Sequence, residues 1–143
     1  MSPITTQRGA TTRPFFQAGW AGLLVLTLAG PPAAQGPAVT PLMTKTLPDV
    51  PGREVLMIAV QYAPGEAEVV HRHGAHAFVY VLEGSIVMQV KGGKQVTLQP
   101  GETFYEGPDD IHVVGRNASN TKPARFVVLL LKRTGQPAVL PVP

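Results

Sequence analysis

GEAEVVHRHGAHAFVYVLEG, Gly65 to Gly84, is the stretch on which the fold turns. Its second half contains Phe78 to Leu82 (FVYVL), a β-branched and aromatic run closed by Glu83-Gly84. That composition suits a pleated, half-buried strand. In the first half, Ala67 to His73 (AEVVHRH) runs up to a break at Gly74 and is expected to be a strand as well. His71 and His73 stand two apart on it, so alternation sends both imidazoles off one face. Val69 shares that face, and the pair is therefore expected to look into an apolar interior.

Outward from this stretch the same kind of segment recurs. Glu54 to Tyr62 (EVLMIAVQY) precedes it and ends at Ala63-Pro64-Gly65. Ser85 to Lys91 follows, turning through Gly92-Gly93 into Lys94 to Leu98, the pattern of a hairpin. Thr103 to Glu106, Ile111 to Arg116 and Ala124 to Lys132 (ARFVVLLLK) complete the series. Nothing after residue 40 shows a sustained helical stripe. Short strands punctuated by turns indicate an all-β sandwich or barrel, and the 15 glycines and 15 prolines supply the punctuation. Ala38 to Pro51 (AVTPLMTKTLPDVP) reads as a proline-broken linker or leading arm, which assigns residues 37–52 to that segment and 53–143 to the domain.

At 143 residues the chain has room for one domain. Residues 1–36 read as an address, with the boundary at 36 or 38. Arg8 and Arg13 precede the apolar run Gln17 to Leu28 (QAGWAGLLVLTL), and small residues around Ala34-Gln35-Gly36 offer a cleavage zone. These are the parts of a secretory signal. The run falls short of the ~20 apolar residues that span a bilayer. A buried N-terminal helix and a retained anchor are the other readings. The expectation is a periplasmic or secreted protein with no stable membrane span after cleavage.

Without the first 38 residues, which hold two of the twelve basic residues and no acidic one, ten basic face nine acidic residues. That balance offers no basic face for nucleic acid. Cysteine is absent, so thiolate metal sites and Cys nucleophiles are excluded. No G-x-S-x-G or phosphate-binding glycine loop occurs. Any metal must be held by histidine and carboxylate. The chain has four histidines, and beside His71 and His73 these are His76 and His112.

Two segments together resemble the cupin family. Gly65 to Gly84 is similar to the first cupin motif, with a glycine, five residues, H-x-H and a final glycine. Pro100 to Asn117 (PGETFYEGPDDIHVVGRN) is similar to the second, with Pro-Gly, a loop, a histidine and an asparagine. The resemblance covers roughly residues 54 to 132. It implies a small cupin β-barrel (a double-stranded β-helix, or jelly roll) in which His71, His73 and His112 bind one divalent metal. The first motif's glutamate is missing, because Ala77 occupies its place. Asp109 also replaces a usual glycine, and Asn117 comes one residue late.

Three neutral imidazoles remain a good site for Zn, Cu, Fe or Ni, and Mn is a further candidate. His76 and Glu106 are the two neighbours that can substitute for the lost carboxylate. Glu106 is also the candidate general base, its alternatives being a solvated or ligand-orienting carboxylate. Phe78, Tyr80, Phe104 and Tyr105 are candidates for a substrate pocket, for core or for a dimer interface. The resemblance implies either a metal-dependent dioxygenase or isomerase of a small organic molecule, or a non-catalytic module binding a small molecule or metal. A homodimer is expected, since Phe126 to Leu131 (FVVLLL) is too apolar for an exposed edge strand.

Overall fold

The structure, a computed structural model, describes residues 36–142. The address segment expected over residues 1–36 lies almost wholly outside them. No helix occurs among the described residues, so none there is long and apolar enough to cross a membrane.

Eight strands follow one another: β1 (Ala38–Thr46), β2 (Arg53–Tyr62), β3 (His76–Glu83), β4 (Ile86–Val90), β5 (Val96–Leu98), β6 (Thr103–Glu106), β7 (His112–Asn117) and β8 (Ala124–Arg133). They form a five-stranded sheet in the order β1-β2-β8-β3-β6 and a three-stranded sheet in the order β5-β4-β7. All the strand pairs within both sheets are antiparallel.

Alternation builds the interior. Ile58, Val60 and Tyr62 of β2 face in beside Phe126, Val128 and Leu130 of β8 and Ala77, Val79 and Val81 of β3. Ile86, Met88 and Leu98 meet them from the smaller sheet. Tyr62 and Phe126 pack edge-to-face with centroids 5.0 Å apart, a geometry that adds about 1 kcal/mol beyond burial.

Four expectations are corrected. Ala38–Thr46 is a strand, β1, where a broken linker or arm is expected. It lies at the sheet's edge, where a proline's missing N–H breaks no ladder, and a bulge falls between Pro41 and Met43. The segment from Ala67 to His73 makes only isolated bridges, Ala67 to Arg116, His71 to His112 and Arg72 to Leu140. Val69 consequently points to solvent and is 82% exposed. The Gly92-Gly93 turn is wider than a two-residue hairpin, since pairing stops at Met88 and Val96. Finally, β8 runs between β2 and β3, so its apolar residues need no partner molecule to cover an edge.

Asn117, the last residue of β7, anchors the neighbouring loops. Its side-chain amide donates to Ala63 O at 3.0 Å and Lys122 O at 2.8 Å, and its oxygen accepts from Ser119 N at 2.8 Å. The residue is buried, and the loops on either side hang from it.

The inward row of β8 ends in a charge. Lys132 faces Glu54 of β2 in register and donates to its carboxylate, which also accepts from Gly135 N at 3.2 Å. The Lys132 hydrogen bond first, and the Gly135 one second, hold Glu54 below its ordinary value of 4.5. Its contribution to stability is therefore full above that value and is lost as pH falls through the lowered one. Glu54→Gln is expected to be less stable at neutral pH and to lose less stability than the parent between about pH 5 and 3. Thermal melts across that range check this; parallel acid limbs would count against it.

Candidate metal centre

Backbone pairing brings two of the histidines, His71 and His112, together. His71 N donates to His112 O at 3.2 Å, and His112 N donates back to His71 O at 2.8 Å. The rings of His71 and His112 then lie 4.9 Å apart, and those of His71 and His73 lie 4.8 Å apart. One ring nitrogen from each of the three falls within 4.8 Å of the others, and all three residues are buried.

In each imidazole the second nitrogen is bound to a backbone carbonyl. His71 Nδ1 is 2.8 Å from Val69 O, His73 Nδ1 is 2.7 Å from Ala138 O, and His112 Nε2 is 2.6 Å from Val114 O. A carbonyl only accepts, so each of those nitrogens carries the proton. The lone pairs left over are His71 Nε2, His73 Nε2 and His112 Nδ1. Such outer hydrogen bonds orient metal-binding histidines.

Burial, more than any other cause, holds the His112 imidazole neutral, lowering its pKa to about 4, with His71 next. Burial likewise lowers His73. Neutral imidazole is the form that binds a cation.

Two carboxylates face the cluster. Glu106 Oε1 lies 3.4 Å from His112 Nδ1 and its Oε2 lies 3.8 Å from His73 Nε2. Burial raises Glu106 to about 7, with Glu68 and Asp110 adding to it. Glu68 Oε2 lies 3.7 Å from His71 Nε2 and is also raised by burial. Glu106 Oε2 and His112 Nδ1 are buried without any hydrogen-bond partner. Unpartnered buried polar atoms are rare. A divalent ion among these donors would satisfy both, so the residues fit one.

Of the residues singled out in the sequence, His71, His73, His112 and Glu106 meet here. His76 does not. Alternation along β3 turns its side chain to the outer face, where Nδ1 lies 2.7 Å from Tyr105 Oη. Phe78, Tyr80 and Tyr105 share that face and are about half exposed.

Glu68 is the residue that sequence reading misses. Strict alternation puts it opposite His71, but Ala67 to His73 is no regular strand, and Glu68 turns in where Val69 turns out. Gly115 makes the space: a Cβ there would stand 2.9 Å from His112 Nε2 and 3.0 Å from Glu68 Oε2.

The cluster opens onto a cavity of about 500 Å³ lined by Leu56, Ile58, Val60, Phe126 and Val128. The segment after β8 closes round it from the other side. Gln136 Nε2 donates to His73 O at 3.0 Å and Gly74 O at 3.1 Å, and Leu140 pairs with Arg72.

Residues 59–130 match the cupin domain family. The chain belongs to the cupin family. Solved structures agree with the cupin fold. A double-stranded β-helix protein from Klebsiella pneumoniae is similar at 16% identity and a TM-score of 0.60, over 78% of this chain and 90% of that one. A protein from Thermus thermophilus, TT1209, is similar at 28% identity and 0.56, over 71% and 88%. Oxalate oxidase in complex with the substrate analogue glycolate is similar at 26% identity and 0.55, over 80% of this chain and 60% of that one. No curated protein matches this cupin.

The cupin match ends before the segment that orients His73. A chain ending at Gly135 retains all eight strands but loses the Ala138, Gln136 and Leu140 contacts. It is expected to bind added Co²⁺ about 10- to 100-fold more weakly while keeping its far-ultraviolet dichroism. Unchanged affinity would mean that the tail does not position the site.

Proposed function

We propose that this cupin is a metal-dependent enzyme acting on a small organic molecule, of the dioxygenase or isomerase kind. The observation that carries the reading is a set of three inward imidazole lone pairs at the wall of an apolar cavity. The similarity to oxalate oxidase, a protein of small organic acid chemistry, points the same way. A bound iron, copper, nickel, manganese or zinc ion would polarise a substrate oxygen or bind dioxygen. Apolar walls exclude water and strengthen polar contacts at the cluster.

Proton transfer falls to a carboxylate. Sequence reading gives that role to Glu106; both it and Glu68 line the cavity, but the Glu106 side chain is only 2% exposed, whereas that of Glu68 is 17% exposed. In this reading Glu68 is the base that a substrate reaches, and Gly115 keeps room for it. The alternative, a non-catalytic module for a small molecule or metal, draws support from the same apolar lining. Export to the periplasm or beyond belongs to the proposal on the strength of residues 1–36 alone. So does a homodimer, whose support is now the half-exposed Phe78, Tyr80 and Tyr105 on the outer sheet face.

Elemental analysis tests the first claim, on protein purified without added metal and without a histidine tag. About one equivalent of a transition metal, lost in His112→Ala, is expected; oxygen uptake with small organic acids then identifies a dioxygenase, and conversion of the acid without oxygen uptake an isomerase, while neither leaves the module. Near-zero metal in both proteins, even after reconstitution, would defeat the metal reading. Light scattering is expected to give twice the chain mass; the single mass would end the dimer proposal.

A further inference from the structure

Resting on the metal reading above, we infer that the carboxylate of this site has changed strands. Glu106 on β6 stands in for the glutamate that Ala77 does not supply on β3. In the antiparallel pair of β3 and β6, the residue directly opposite Ala77 is Glu106. Directly opposed residues point to the same face with Cβ atoms about 5 Å apart. Both are inside, at 0% and 2% exposure. A side chain starting from either position therefore enters the same volume.

The distances fit a ligand better than a hydrogen-bonding partner. Glu106 lies 3.4 Å from His112 Nδ1 and 3.8 Å from His73 Nε2, too far for good hydrogen bonds. Two donors held about 2.1 Å from one ion at the tetrahedral angle stand about 3.4 Å apart. The unpartnered Glu106 Oε2 and His112 Nδ1 are both in this group. A carboxylate here also offsets part of a dication's charge, which three neutral imidazoles leave intact.

Glu68 is the rival. Its side chain is more exposed, and it approaches His71 alone among the three imidazoles. It also has no register relation to Ala77, which pairs with β6 and β8.

Exchanging the two residues tests the inference, because Glu106→Ala with Ala77→Glu keeps the summed side-chain volume unchanged. The full chain, stripped of metal, is titrated with Co²⁺, reading affinity and the visible spectrum, with a metal-free melt as the folding control. Glu106→Ala is expected to weaken binding at least about 10-fold, with Glu68→Ala near the parent. The double variant is expected to recover most of that loss. A folded double variant binding no better than Glu106→Ala would overturn the exchange.

Where the double variant does not fold, Glu106→Gln decides, since it keeps the shape and removes the charge. Weaker binding and a changed spectrum support the inference; parent-like binding overturns it. Loss in Glu68→Ala but not in Glu106→Ala assigns the carboxylate to Glu68 and also overturns it. If the parent takes up no Co²⁺, or if His112→Ala binds as the parent does, the metal reading itself has failed.

Discussion

Two reciprocal backbone hydrogen bonds between His71 and His112 are the constraint from which the site follows. They join the irregular segment after β2 to the first residue of β7, and so set two imidazoles from distant parts of the chain side by side. Everything else at the site refines that juxtaposition. Three carbonyls each accept a hydrogen bond from one ring N–H, which leaves three lone pairs turned towards one another and towards Glu106 and Glu68. Only one of these acceptors, Val114 O, belongs to a strand; Val69 O and Ala138 O are held by the irregular segment after β2 and by the tail after β8.

Much of the architecture was legible in the sequence. β2, β3, β4, β6, β7 and β8 announce themselves as β-branched or aromatic runs between turn residues, which is the physics of a pleated, half-buried surface. β1 did not, because Pro41 and Pro48 look like breaks when one strand is read alone. Whether a proline breaks a strand depends on which neighbour its missing N–H would have met, and that is a property of the sheet. The histidine trio was legible through the spacing of two motifs. Glu68 was hidden, because the period of two fails where the backbone stops pairing regularly. The facing of Ala77 and Glu106 was hidden for a related reason, since cross-strand register is set by pairing and not by spacing along the chain. His76 misled for the opposite reason. It lies next to the motif in sequence, but one residue along a strand means the other face.

The site is electrostatically expensive as it stands. Burial presses His73 and His112 towards deprotonation and Glu106 and Glu68 towards protonation. Tyr62 is pressed the same way, since burial first and the Glu68 carboxylate second hold its phenol protonated. Each unpartnered buried polar atom costs about 1–3 kcal/mol. A cupin interior that needed only to be stable would fill this volume with residues like Val79 and Leu130. That it does not is where local stability has been given up, the mark of a functional region. A cation would reverse the preference at the carboxylates, because an ion inverts the local ionisation logic.

The tail adds an order in time. As residues leave the ribosome, or emerge from a translocation pore, the three imidazoles are all present once His112 has appeared. The acceptor that sets the tautomer of His73 is Ala138, 65 residues further along the chain than His73. Until that carbonyl folds back, His73 is free to turn either nitrogen inward. Full orientation of the trio thus rests on a contact between residues 65 apart in sequence, whose loop-closure entropy must be met before His73 is held.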